Sequence, residues 1–206
     1  GEAADAVDAT DEFKLDNVNT VKVSTEFTGE RNLKCPYTAY TDRMAVTQIL
    51  QHYGCDESLS FQSLLNEGKI VLDYYNRVNM LDLSDCGLEG GISERFMWLD
   101  NLFMLNLDNN SLSGEIPSFM GEFPLLTALK LNNNQFTGTI PASFEHYYTN
   151  NGFINLTGNK MSGLIPFGKS TDNNIFFQFD HKYQYDYDGT VITNDHGLWF
   201  ADEVDE

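Results

Sequence analysis

Basic residues are scarce in this chain of 206 residues: 12 Lys and Arg stand against 31 Asp and Glu, a formal net charge of −19. The deficit is concentrated at the ends. The first thirty positions hold Glu2, Asp5, Asp8, Asp11, Glu12, Asp16, Glu26 and Glu30 against Lys14 and Lys22, and the last twelve hold five acids and no base. Such ends repel phosphate backbones and anionic lipid, which argues against nucleic-acid and peripheral membrane roles. They read either as solvated tails or as arms that dock on a basic partner surface. Long apolar runs are missing too. No stretch reaches the roughly 18 residues of a membrane-spanning helix, so no membrane span is expected. The chain begins at Gly1 with neither methionine nor an apolar signal core, and a targeting peptide is expected to have been removed.

Catalytic motifs are equally absent. The four histidines, His52, His146, His181 and His196, are scattered. No His-Glu-x-x-His, Gly-x-Ser-x-Gly or phosphate-cradling glycine loop occurs. No catalytic residue, metal ligand or cofactor is therefore assigned.

What the chain has is an internal repeat. Met80-Leu-Asp-Leu83, Met104-Leu-Asn-Leu107, Ala128-Leu-Lys-Leu131 and Phe153-Ile-Asn-Leu156 share one register, with steps of 24, 24 and 25 residues. Four further columns keep step: Cys86, Asn110, Asn134, Asn159; Leu88, Leu112, Phe136, Met161; Gly90, Gly114, Gly138, Gly163; and Ile92, Ile116, Ile140, Ile165. Pro117, Pro141 and Pro166 follow the last three isoleucines, with Ser93 in the first place. Alternating leucines make short strands with one face inward, and stacked coils pair those strands into a parallel sheet. The asparagine column supplies an amide to backbone groups that the turn would otherwise bury unpaired. Cysteine is an accepted variant of that column, which accounts for Cys86.

The strings Leu105-Asn-Leu-Asp-Asn-Asn-Ser-Leu-Ser-Gly-Glu-Ile-Pro117 and Leu129-Lys-Leu-Asn-Asn-Asn-Gln-Phe-Thr-Gly-Thr-Ile-Pro141 resemble the plant-specific subclass of leucine-rich repeats. That subclass is found in receptor-kinase ectodomains, polygalacturonase-inhibiting proteins and algal secreted proteins. The resemblance covers residues 78–166 and implies an α/β solenoid of about four coils with a parallel concave sheet. A helix from Thr41 to Gly54, with Thr41 or Asp42 as N-cap, resembles the helical N-terminal cap of the family. The Cys-Trp-Gly-Val-Cys-like stretch that ordinarily ends that cap is absent, and Leu59 to Asn76 takes its place. The expected organisation is an acidic extended arm over 1–34, an N-terminal cap over 35–77, repeats over 78–166, and a C-terminal cap with an acidic tail over 167–206. Within the last segment, Tyr183, Tyr185 and Tyr187 before Asp188-Gly189 predict a β-hairpin. Phe176, Phe177, Phe179, Trp199 and Phe200 are expected to cover the last coil.

Cys35 and Cys55 flank the cap helix and read as a disulfide in an oxidising compartment, or as two independent buried thiols. Asn109-Asn-Ser111 and Asn155-Leu-Thr157 fit the glycosylation pattern, a pattern that asparagine-rich repeats also generate by composition. The segment from Gln184 to Asp195 faintly echoes a calcium loop, yet glutamine stands first and strand-like flanks favour the hairpin turn.

The outward strand residues are the candidate partner-binding face: Met80, Asp82 and Ser84; Met104, Asn106 and Asp108; Ala128, Lys130 and Asn132; Phe153, Asn155 and Thr157. Four strands make a sheet only about 15–20 Å wide, with Met80, Met104 and Phe153 as an apolar stripe. The expected function is a non-catalytic protein-interaction module, as an ectodomain or a fixed subunit of a larger assembly. The alternative is a carbohydrate or cell-wall binder, resting on the aromatic C-terminal third. Ice binding, known in this subclass, needs a flat hydroxyl ladder, whereas the Ser84, Asp108, Asn132, Thr157 column is mixed and charged. The expected location is extracellular or, alternatively, an organelle lumen.

Overall fold

In the computed structural model the chain divides into two units, Gly1–Cys35 and Pro36–Glu206. The structure describes residues 39–150, 152–168, 176–185, 191–194 and 196–201. The predicted arm, the Asp188-Gly189 turn and most of the acidic tail lie outside the described residues.

Six strands form the main sheet, in the order Ile70–Leu72, Val78–Asp82, Met104–Asn106, Ala128–Lys130, Phe153–Asn155 and Phe177–Gln178. The first pair is antiparallel and every later pair is parallel. Register follows the sequence columns: Leu81 pairs with Leu105, Leu105 with Leu129, and Leu129 with Ile154. On the inner side Leu83, Leu107 and Leu131 are fully buried, and Phe96, Phe136 and Phe144 fill the space between coils.

Asparagine amides join the coils. Asn110 Nδ2 donates to Leu107 O and Asp108 O of its own coil and reaches back to Leu83 O of the preceding one, at 2.9–3.0 Å. Its Oδ1 accepts from the amides of Cys86 and Leu88. Asn134 repeats the pattern on Leu107 O and the Leu112 amide, and Asn159 on Leu131 O and the Phe136 amide. Cys86 heads the column where the preceding strand, Ile70–Leu72, runs antiparallel and offers no carbonyl in this register. Its thiol donates to Ser84 O instead, at 3.3 Å.

The residue before each column asparagine, or Cys86, is left-handed: Asp85, Asn109, Asn133 and Gly158 have φ of 54° to 70°. The glycine column, from Gly90 to Gly163, also has positive φ throughout, a conformation that costs little only without a Cβ. After Ile92, Ile116 and Ile140, Ser93, Pro117 and Pro141 open the 3₁₀ turns Glu94–Trp98, Ser118–Gly121 and Ala142–Phe144.

At the N-terminal end, helix α1 spans Ala39–His52 and α2 spans Phe61–Asn66, the latter closed by a Ser60–Ser63 capping box. Helix α1 therefore begins two residues before Thr41 and three before Asp42, the predicted N-caps, and Asp42 lies inside its first turn. The side chain is fully buried and accepts from Arg77 Nε and Nη2 and from the Val78 amide at 2.7–3.0 Å. Burial pushes its carboxyl above the ordinary aspartate value, against the pull of those donors. Arg77 also reaches Asp100 at 2.6 Å, so one guanidinium ties the cap to the first coil.

The C-terminal segment departs from the predicted cap. Phe177 pairs with Ile154 and continues the solenoid as a fifth concave strand. The matching outer strand is Gly197–Trp199, parallel to Ser162–Leu164. Between them sits the predicted hairpin, Tyr183–Tyr185 against Val191–Thr193. Its base is so tight that a Cβ on Gly197 would lie 2.6 Å from the Lys182 nitrogen.

Asn134→Ala leaves the Leu112 N–H buried without its acceptor and strips Leu107 O of one of its two amide donors, the other being Asn110 Nδ2. Denaturant unfolding is expected to show a loss of at least about 2 kcal/mol; a loss under about 1 kcal/mol would mean that the column carries little. A second expectation concerns Asp73, whose carboxylate accepts from the Arg77 and Tyr75 amides and from Asn101 Nδ2 at 2.8–3.0 Å. These bonds, that from Arg77 foremost, hold its carboxyl below the ordinary value. A depressed carboxylate stabilises above its unfolded value and loses that contribution as pH falls through the folded value. The stability gap between wild type and Asp73→Asn should thus be present at pH 7 and shrink below about pH 4. Thermal melts across pH check this, and a pH-independent gap would contradict it.

Candidate functional site

All twelve predicted face residues lie on or next to the concave strands, and the strand pairing lines them up in rows. Met80, Met104, Ala128 and Phe153 are successive register partners, as are Asp82, Asn106, Lys130 and Asn155. The fifth strand extends the second row by Gln178, widening the sheet to about 24 Å across six strands. Sequence reasoning missed Gln178, although Phe177-Gln-Phe179 repeats the Leu-x-Leu pattern 23 residues after Ile154-Asn-Leu156.

The rows differ in what they present. The polar centre is bonded to itself. Asp82 accepts from the Ser84 amide and hydroxyl and from Asn106 Nδ2 at 2.7–3.0 Å. Asn106 Oδ1 accepts from the Asp108 amide, and Asp108 Oδ1 from the Asn132 amide. With its amide turned so that nitrogen faces Asp108, Asn132 donates a side-chain bond there too. Asn155 Oδ1 takes the Thr157 amide and hydroxyl. In consequence Asn106 and Asp108 are buried, as is Ala128, and these three offer little surface to a partner. Burial pushes the Asp108 carboxyl above its ordinary value, while the Asn132 amide and Lys130 pull it down.

The remaining row is apolar. Met80, Met104 and Phe153 are half-buried on either side of Ala128, and Lys130 Nζ lies 5.9 Å from the Phe153 ring centroid, within cation–π range. Chemically the face can offer an apolar strip edged by a rigid polar lattice, with one ammonium at its centre.

Among the described residues no group of three or more His, Cys, Asp or Glu side chains could hold a metal ion, and no helix is long and apolar enough to cross a membrane. His52 and His146 are engaged locally, with Arg95 and with Ser143 O. Half of the calcium-like segment lies outside the described residues. Cys55 is a free, half-buried thiol pushed up by burial, and Cys86 is likewise free; Cys35 lies outside the described residues. Of the two glycosylation candidates, Asn109 is exposed on its turn, where it accepts from Asn133 Nδ2 at 2.8 Å. Asn155 is half-buried in the concave face.

The Leucine Rich Repeat family model matches residues 101–123 and 125–147. No curated protein matches the chain. Among solved structures, the chain is similar to the ectodomain of the receptor kinase SOBIR1 from Arabidopsis thaliana. The identity is 23% over 61% of this chain and 71% of that one, with a TM-score of 0.47. It is also similar to the Arabidopsis HAESA ectodomain, solved in complex with an N-terminally extended IDA peptide hormone. There the identity is 34% over 57% of this chain and 20% of that one, with a TM-score of 0.41. The Arabidopsis BIR2 ectodomain is 22% identical over 69% of this chain and 90% of that one, with a TM-score of 0.42. The chain thus spans a fifth of the HAESA ectodomain. Two coils match the Leucine Rich Repeat family model, and the others stack on them in the same register.

Proposed function

We propose that this chain is a non-catalytic module that binds a protein partner through its concave face, as an ectodomain or as a fixed subunit of a larger assembly. The observation that carries this reading is the aligned apolar row of Met80, Met104, Ala128 and Phe153 beside a polar centre whose hydrogen bonds are already made. A partner covering that row desolvates apolar surface without stripping water from unpaired polar groups, which favours association. Lys130 adds a fixed charge that can set register. Of the aromatic residues in the C-terminal third that suggested carbohydrate binding, Phe177, Phe179 and Phe200 are buried against one another, Phe167 and Tyr148, whereas Trp199 is half-buried and Phe176 exposed. The three buried rings serve the core of the last coil, so the protein-binding reading is preferred. Its natural setting is extracellular or an organelle lumen, where Cys35 and Cys55 would be free to pair.

Pull-down from the native source with mass spectrometry identifies the partner, and titration of that partner then tests the face. Phe153→Ala is expected to weaken binding by about 2 kcal/mol or more. Deleting residues 1–30, which carry a net charge of −6, is expected to slow association and flatten its salt dependence. If neither change alters affinity or assembly, the concave face is not the site.

A further inference from the structure

Seven large apolar side chains are exposed among the described residues, and four of them lie along one flank: Tyr74, Tyr75, Phe103 and Leu125. This flank is the side from which the chain enters each concave strand. Tyr74 and Tyr75 are 93% and 76% exposed at the tip of the turn between strands Ile70–Leu72 and Val78–Asp82. The turn is rigid. Asp73 accepts from the Tyr75 and Arg77 amides, Asn76 is left-handed at φ 58°, and Asn101 donates to Asp73 at 3.0 Å. That last bond fixes the tyrosine tip against the junction of the first two coils.

One coil further on, the position of Asn101 is occupied by Leu125, 52% exposed. Phe103, 50% exposed, bonds through its backbone to Asn79 on one side and Thr127 on the other, so it occupies the middle of the same flank. Beside Phe103 and Leu125 opens a depression of about 430 Å³, lined also by Phe123, Pro124 and Tyr147. That is ample for a large side chain. An exposed row of this kind, built on fixed backbone, marks an interaction site more often than idle surface.

The charge around it has one sign. Between residues 96 and 159 the only Lys or Arg is Lys130, on the concave face, against five acids. Glu122 and Glu145, both exposed, directly precede the lining residues Phe123 and His146. Arg77, the nearest guanidinium in the turn, is held by Asp42 and Asp100. The Tyr74 and Tyr75 rings stand 85° apart, so they form no flat platform for a sugar.

We propose that this flank is a second docking surface, for a protein segment carrying large apolar side chains separated by lysine or arginine. It rests on the reading of the chain as an interaction module, but uses a surface distinct from the concave row. The test titrates the full chain with three series of synthetic peptides, whose Phe and Leu anchors are separated by Lys and Arg, by Ser, or by Glu. Fluorescence anisotropy is the readout. The basic series is expected to bind about tenfold tighter than the serine series, with the acidic series weakest. The double variant Phe103→Thr, Leu125→Asn carries the residues that neighbouring coils hold at these positions, Thr127 and Asn101, so it is expected to fold. It should lose the basic series by about tenfold or more, as should Tyr74→Ser, while Lys160→Ala should not. Circular dichroism and thermal melts confirm folding of each variant. Equal binding of the three series, or binding indifferent to the flank variants, would overturn the proposal. Loss with Phe153→Ala alone would overturn it too while leaving the concave face as the site.

Discussion

The side-chain amide of one asparagine per coil is the constraint on which this solenoid depends. A coil about 24 residues long cannot be closed into a regular hydrogen-bonded ladder all the way round. Where the chain leaves the concave strand it turns sharply, and its carbonyls and amides face the interior. Asn110, Asn134 and Asn159 each offer two donors and an acceptor at that point, and each serves two coils at once. Leaving such groups buried and unpaired would cost roughly 1–3 kcal/mol apiece. The leucine rows supply the apolar burial, but the amides decide that coils stack in one register and at one spacing. Cys86 shows the rule by its exception, because it stands where no preceding parallel coil offers a carbonyl.

That fixed register also shapes the surface. Stacking places Asp82, Asn106, Asp108 and Asn132 close enough to bond one another, and this removes them from competition for a ligand. In the proposed function, recognition falls to residues beside the lattice: the apolar row on the concave face and the tyrosine, phenylalanine and leucine row on the flank. Both are held by backbone that is bonded on either side, so little conformational entropy remains to be lost on binding. The negative field of the chain as a whole would speed the approach of a basic partner.

Much of this was legible in the sequence, for a physical reason. Period-two leucines, asparagines in step and Ile-Pro pairs each answer a local demand of the coil, so they recur in every coil that meets it. What escaped notice depends on tertiary surroundings. The fifth strand at Phe177–Gln178 was hidden because the hairpin between Lys182 and Asn194 separates it from its outer partner, Gly197–Trp199, and breaks the column spacing. Asp42 looked like a helix cap from its neighbours in the chain, whereas its partner Arg77 lies 35 residues away. The alternation that sends Asn106 and Asp108 to the concave face says nothing of the neighbours that then cover them. The flank row was missed because it follows no period: Leu125 and Asn101 share a position yet differ in kind.

Native-state hydrogen exchange at the amides of Leu88, Leu112 and Phe136 tests the central claim most directly, because these three donate to the side chains of Asn110, Asn134 and Asn159. If the asparagine column holds the coils together, they exchange as slowly as the amides of Leu107 and Leu131 in the buried concave rows, opening only with the whole solenoid. Fast exchange at all three, with the concave strands still protected, would contradict it.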